Sequence, residues 1–396
     1  MSPRSVSQAG PQVMSRNVTE GIKQLLPAIR ARRQEIEQAR RLPLDLVADL
    51  RHTGVFGMGI PRVFGGQEAS PLDLMAAIET VSTADGSTGW CTMVGIANNI
   101  SAGYINEQGA REVWADPTAP TAGIAAPVGT AVRIPGGVRV SGRWPYASGI
   151  THSDWLWAGC VVVENGQPRR TPAGPETIHV CMPVGDIEVQ DTWYVSGLCG
   201  TGSNDVTARD VFVPQHRTFA LLDPTSHRPE ALFQMPALAL FVFQLVCVSL
   251  GIARSALDEL IELAQSKKPS LYTAVLADKA VAQVEVARAE AALRSARAFL
   301  YDTVADMWQT VSTGRDPTRH QLALGRIAAM HAVETVAAVT RSANTLGGGS
   351  SVYAASPLQR HARDAEVITH HFTVSPHTWE EAGRVLLGRA PTVQVF

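Results

Sequence analysis

The chain has 396 residues, of which 45% are hydrophobic and 18% charged, with a net charge of −2. That length supports a large core in two or three domains or layers, and that composition is globular rather than disordered. The near-zero charge predicts no basic face for nucleic acid.

The N-terminal stretch "MSPRSVSQAGPQVMSRN" lacks the apolar centre of a signal peptide, so a cytoplasmic protein is expected. Residues 18–41 carry apolar positions at helical spacing with charges opposite. "PLDLVADLRHTG" reads as a short helix entered at Pro43 and stopped at Gly54, and the next helix starts after Ser70 as N-cap. Residues 86–105 are almost uncharged and predict a buried helix. From 117 to 225 the chain turns rich in Gly, Pro, Val and Thr. "GGVRVSGRWPYASGI", "DWLWAGCVVV", "TIHVCMPV", "IEVQDTWYVSG" and "NDVTARDVFVP" read as the strands of a small barrel or sandwich. Helices return after Pro236, over 243–265, 279–311 and 320–347, the third stopping at Gly347. A last helix is expected over 375–388 with Pro376 in its first turn. The apolar run 237–253 is short for a membrane span and reads as a buried helix, so no membrane association is expected. The five cysteines, Cys91, Cys160, Cys181, Cys199 and Cys247, are scattered and never spaced as CxxC, so free thiols are expected and no metal site.

The fold expected is mostly α with a central β domain: a helical domain over 1–116, a β domain over 117–230 and an antiparallel four-helix bundle over 231–396. The natural cleft lies where these blocks meet.

This order, with "GIPRVFGGQEASPLDLMAAIETVSTADGSTGW", "ANTLGGGSSVY" and "RHARDAEV", resembles the acyl-CoA dehydrogenase superfamily over residues 20–390. "SGRWPYASG" and "GTGSNDV" are most similar to its two-component flavin-dependent monooxygenases. The resemblance implies an oxygenase component that takes reduced FMN or FAD from a separate flavin reductase. It would react the flavin with O2 to a C4a-hydroperoxide and hydroxylate a small aromatic, amine or sulfur-containing molecule. It also implies a homotetramer joined through the bundle. No GxGxxG motif follows a strand, which fits the need for a separate reductase. The resemblance leaves open an acyl-CoA dehydrogenase or oxidase that holds FAD tightly. The glutamate base of those enzymes is expected near Phe372, where this chain has no carboxylate.

The candidate residues follow. His370 and His371 stand side by side after "RHARDAEV"; in the monooxygenase branch a histidine occupies this loop, and His371 is the better match. An imidazole that titrates near neutrality can donate to the distal oxygen and assist proton transfer. If both residues were helical they would point about 100° apart, so one faces the flavin. Trp144 can cover one face of the flavin ring, or fill the β core. Ser148, by resemblance, hydrogen-bonds the flavin N5 edge. Trp90, on the buried helix, lines the same cleft or packs in the core. Gly347, Gly348 and Gly349 form a helix stop, which in relatives lies against a neighbouring subunit's flavin. Asn98 and Asn99 replace the histidine by which relatives deprotonate a phenol; Asn98 can bind a substrate but is no base. Cys199 stands where relatives often carry Arg. His152 belongs to the cleft or to the surface, and Arg254 is one of several bundle cations that can hold a flavin phosphate.

Overall fold

The computed structural model describes residues 11–392 except 173, 222, 224–227 and 271, so part of the N-terminal stretch without a signal-like centre lies outside the described residues. Six helices come first: α1 (Pro11–Ala31), α2 (Arg33–Ala39), α3 (Leu44–Thr53), α4 (Pro71–Ser82), α5 (Gly86–Asn99) and α6 (Glu107–Val113). The single helix expected over 18–41 breaks at Arg32, whose guanidinium spans Glu35 and Asp45, each at 2.7 Å. The caps read from sequence hold. Gly54 closes α3 at φ 78°, a left-handed value that favours glycine, and the Ser70 hydroxyl accepts from Asp73 N at the start of α4. Asp85 opens α5 by accepting from the backbone N of Thr88 at 2.7 Å and from its hydroxyl at 2.8 Å.

The β domain holds ten strands among the described residues: β1 (Ala122–Ile134), β2 (Gly137–Ala147), β3 (Trp155–Glu164), β4 (Gln167–Pro168), β5 (Arg170–Thr171), β6 (Gly174–Pro175), β7 (Thr177–Pro183), β8 (Glu188–Gln190), β9 (Asn204–Pro214) and β10 (Thr218–Phe219). The main sheet runs β10-β7-β3-β1-β2-β9-β8, with β4 paired to β3. Only the β1–β3 ladder within it is parallel. Two features depart from the sequence expectation. β1 reads weakly because "AGIAAPVGTAVRI" is built from small residues and a proline. The strand expected over "IEVQDTWYVSG" ends at Gln190, and a loop follows. Side chains from other elements tie that loop down: Asn204 Oδ1 accepts from Thr192 N at 3.0 Å and Trp193 N at 3.1 Å, and Asp364 Oδ1 accepts from Leu198 N at 2.6 Å.

The second helical block comprises α7 (Ala231–Gln234), α8 (Ala237–Ser266), α9 (Ala280–Ser312), α10 (Arg319–Gly347), α11 (Pro357–Thr369) and α12 (His377–Leu386). Pro376 is the N-cap of α12 rather than a first-turn residue. Contrary to the expectation from run length, α8 and α10 are long and apolar enough to cross a bilayer, but 72% and 61% of their apolar windows are buried inside the fold.

Two hydrophobic clusters hold the chain. One, including Val138, Val140, Trp144, Leu156 and Val206, fills the β domain. The other runs from Val18 to Val374 and takes residues from both helical blocks, which thus pack against one another in a shared core. Their contact is close: a Cβ on Gly251 of α8 would lie 2.4 Å from Ser82 Cβ of α4.

Candidate active site

α11 ends at Thr369, and His370 and His371 fall in the link to the next turn. His370 caps α11, so the two histidines do not sit on one helix as the 100° argument assumed. His371 turns inward. Its ring lies 6.0 Å from Trp90, edge to face, and 5.7 Å from Phe241 of α8, with Phe372 at 4.8 Å. Its Nδ1 lies 2.8 Å from Thr373 Oγ1 and accepts from Thr373 N at 3.4 Å. Burial among these rings pushes the imidazole down to about 4. That corrects the sequence expectation of a group titrating near neutrality. At pH 7 the ring is neutral, and with Nδ1 accepting, the proton sits on Nε2 as a fixed donor.

Trp90 joins this residue to the β domain. Its indole N–H donates to Ser148 Oγ at 3.1 Å. Ser148 Oγ lies 2.7 Å from Ser203 Oγ, which lies 2.7 Å from Thr201 Oγ1, whose hydroxyl donates to Leu198 O at 2.9 Å. Three hydroxyls and an indole thus form one buried chain, ending on the loop that Asp364 pins. Burial raises the Asp364 carboxyl to about 7. Ser203 and Thr201 belong to the "GTGSNDV" motif but carried no role in the sequence reading, where nothing showed that they fold back onto Ser148.

The structure contradicts a cofactor-facing role for Trp144. Its side chain is fully buried in the β core, its indole N–H donates to Gly159 O at 2.8 Å, and its ring fills the space over Gly129 and Gly142. Tyr146, two residues on, is the exposed aromatic. A break in the β2–β9 register between Trp144 and Ala147 and a φ of 65° turn it out of the sheet, 69% exposed and 6.2 Å from the Trp193 ring. Strict alternation puts Trp144 and Tyr146 on one face; the bulge undoes that.

Asn98 is buried, and its amide donates to Thr121 O at 2.9 Å, clamping α5 to the segment before β1. Asn99 is spent on the fold: it donates to Phe56 O and Ala119 O and accepts from Trp114 Nε1 at 2.9 Å. Trp90, Val94 and Asn98 recur at four-residue steps on one face of α5.

The remaining candidates lie apart from this chain of contacts. Gly347 ends α10, Gly348 takes φ 53° and Gly349 has open space around it; Lys267 donates to Gly347 O and to Ser350 Oγ at 3.0 Å. Both ring nitrogens of His152 are sealed from solvent without partners, and burial lowers its pKa to about 4. His152 lines a cavity of about 780 Å³ with α3 residues Leu44, Val47 and Arg51; neither His371 nor Ser148 lines it. Cys199 is half-buried, and burial raises its thiol pKa. All five cysteines are free. Arg254 is occupied by Glu290 and Asp258, each at 2.6 Å.

The donor set fits a reduced flavin. It offers a hydroxyl oxygen at Ser148, an imidazole at His371 packed against Trp90 and Phe241, and an exposed aromatic ring at Tyr146.

Comparison with known proteins agrees. Residues 22–116 match the model of the acyl-CoA dehydrogenase N-terminal domain and residues 244–376 that of the C-terminal domain. The chain is 34% identical to an indole-3-acetate monooxygenase of Pseudomonas putida, over 98% of this chain and 97% of that one. Its fold superposes on the crystal structure of 3-HSA hydroxylase from Rhodococcus sp. RHA1 with a TM-score of 0.89, at 26% identity, covering 96% of this chain and 99% of that one. It superposes equally, with a TM-score of 0.89 at 25% identity and 98% of each chain, on XiaF from a Streptomyces species solved with FADH2 and glycerol.

Proposed function

The chain belongs to the acyl-CoA dehydrogenase superfamily and, within it, to the flavin-dependent monooxygenases that use reduced flavin, and from that premise we propose that it hydroxylates an electron-rich aromatic molecule of the indole type. The observation that carries the reading is the placement of His371, bonded to Thr373, packed against Trp90 and Phe241, and linked through Trp90 to Ser148.

When bound, reduced flavin supplies the electrons that activate O2. The protein's part is binding, orientation and exclusion of water. Ser148 would hold the flavin N5 edge, its oxygen oriented by Trp90 on one side and Ser203 on the other. His371 Nε2–H would donate a hydrogen bond near the reacting oxygen, without carrying a charge at neutral pH. The surrounding rings leave water few polar partners. Asn98 cannot remove a proton, which favours a ring that is nucleophilic without deprotonation. An indole meets that requirement, and the Pseudomonas relative bears the name of an indole substrate. Assembly as a homotetramer through the bundle is part of this proposal, by resemblance to the family.

The test mixes anaerobic protein and reduced FMN or FAD with oxygenated buffer, with and without indole-3-acetate, under labelled O2. Flavin reoxidation slower than that of free flavin, and one labelled oxygen atom in the product, are expected. Reoxidation at the free rate, with all oxygen recovered as peroxide, would overturn the reading.

A further inference from the structure

The direction in which hydrogens run from Trp90 through Ser148, Ser203 and Thr201 to Leu198 is fixed by the two ends. Leu198 O is a carbonyl and can only accept. Thr201 therefore spends its one hydroxyl hydrogen on Leu198 O, 2.9 Å away. The 2.7 Å contact between Thr201 and Ser203 is then made by the hydrogen of Ser203. Ser203 has none left, so the 2.7 Å contact between Ser203 and Ser148 is made by the hydrogen of Ser148. At the other end the Trp90 indole can only donate, and it donates to Ser148 Oγ at 3.1 Å. Every hydrogen is assigned. The proton of Ser148 points inward, one lone pair of its oxygen is taken by Trp90, and what remains free is the other lone pair.

The surroundings hold this order in place. Ser148, Ser203 and Thr201 are 7%, 2% and 1% exposed, so water has little access to trade hydrogens with them. Beyond the contacts named, none of the three hydroxyls has a partner among the described residues. Gly202, at φ 55°, turns the backbone so that the hydroxyls on either side of it meet. The accepting carbonyl is pinned as well. Leu198 takes φ 51°, unusual for a leucine; its N–H donates to Asp364 Oδ1 at 2.6 Å, and Trp193 Nε1 donates to its oxygen at 3.2 Å. Reversing any one bond would leave the Thr201 contact with Leu198 O unmade or set two hydrogens head to head.

Reduced flavin carries a hydrogen on N5, and oxidised flavin has only a lone pair there. These are opposite partners for Ser148. Its free lone pair accepts from the first and has nothing to give to the second. We infer that Ser203 and Thr201 are positioning residues that lock Ser148 as an acceptor, so that this protein selects flavin by its redox state, taking the form with N5–H and turning away the oxidised form. The inference rests on the reading of Ser148 as the group at the flavin N5 edge. It also gives oxidised flavin, the form left after reaction with O2, a reason to leave.

The test measures equilibrium binding of FMN and FAD to full-length protein, each oxidised and anaerobically reduced, without substrate or O2. The readout is a ratio of affinities, not turnover. Wild type is expected to bind the reduced form about 10-fold more tightly than the oxidised one, the worth of one misdirected buried hydrogen bond. Thr201→Val removes the acceptor of the Ser203 hydrogen, and Ser203→Ala removes the acceptor of the Ser148 hydrogen; each frees Ser148 to donate. In both variants the ratio falls about 10-fold, through tighter binding of oxidised flavin, and Thr201→Ser keeps the wild-type ratio. A merely structural role would weaken both redox forms together. An unmoved ratio in the two variants therefore overturns the inference, as does a wild-type ratio near one. Circular dichroism reports whether each variant folds; either variant decides alone, and the wild-type ratio needs neither. Ser148→Ala separates the inference from the reading beneath it. Weakened reduced-flavin binding there, with an unmoved ratio in Thr201→Val, removes only the locked acceptor. Unchanged affinity for both forms in Ser148→Ala removes Ser148 from N5, and the inference with it.

Discussion

Replacing His371 by Phe keeps a flat ring between Trp90 and Phe241 and deletes both ring nitrogens. Two losses follow, and they separate. Thr373 is 3% exposed, and its hydroxyl and backbone N–H lose their shared acceptor, which costs about 1–3 kcal/mol of stability. The reaction loses a positioned donor, worth about 10²- to 10⁴-fold in efficiency. The assay is stopped-flow reoxidation of reduced flavin with peroxide release, followed from about pH 5.5 to about pH 8.5, a range set to bracket the ordinary histidine value of about 6.5. His371 lies at about 4, so it is neutral across that whole range. The wild-type reoxidation rate therefore carries no step from this group, while the Phe variant reoxidises faster and releases more peroxide at every pH. A wild-type step near pH 6.5 that disappears in the Phe variant would refute the fixed neutral donor. Unchanged coupling in the variant would remove His371 from the site.

Trp144→Phe is expected to cost about 2–4 kcal/mol in denaturant unfolding, since it removes the bond to Gly159 O and the ring that fills the space over Gly129 and Gly142, yet it leaves reduced-flavin affinity unchanged. Glu37→Gln strips the charge partner from buried Arg360 and from Arg363, and unfolding should show a loss of about 3–5 kcal/mol. His152, His179 and His371 are each lowered to about 4 by burial. Their unfolded values lie near 6.5, so unfolding takes up protons between those limits. Stability from these three groups is complete above about pH 6.5 and is lost as the pH falls toward 4. Asp364, raised to about 7, works in the opposite direction with one group against three. Thermal melts from pH 7.5 down to about pH 4.5 should show a falling midpoint; a flat profile would contradict the burial of these rings.

The helices and most caps were legible because apolar spacing and capping residues are local signals: Ser70 and Gly54 act where the sequence places them, and α10 stops at Gly347 with Gly348 as its cap. β1 was missed because its small residues lack the β-branched signature of a strand. The site divides in the same way. His371 and Ser148 stood out by resemblance, but the burial of His371 depends on Trp90 and Phe241, two rings from distant segments. Tyr146 was hidden by a bulge that no residue pattern announces. Ser203 and Thr201 look like turn residues until the loop folds back onto Ser148.

The helical core shared across the β domain has a consequence for synthesis. α4 and α5 emerge from the ribosome well over a hundred residues before α8, the helix that covers them. Until α8 arrives, Met75, Ile78 and the apolar face of α5 have no permanent cover, although the β domain in between can already close on its own cluster. A nascent chain stalled or truncated before Pro236 is therefore a half-built molecule with an adhesive surface. Chaperone dependence of this protein should accordingly be concentrated in that interval of translation.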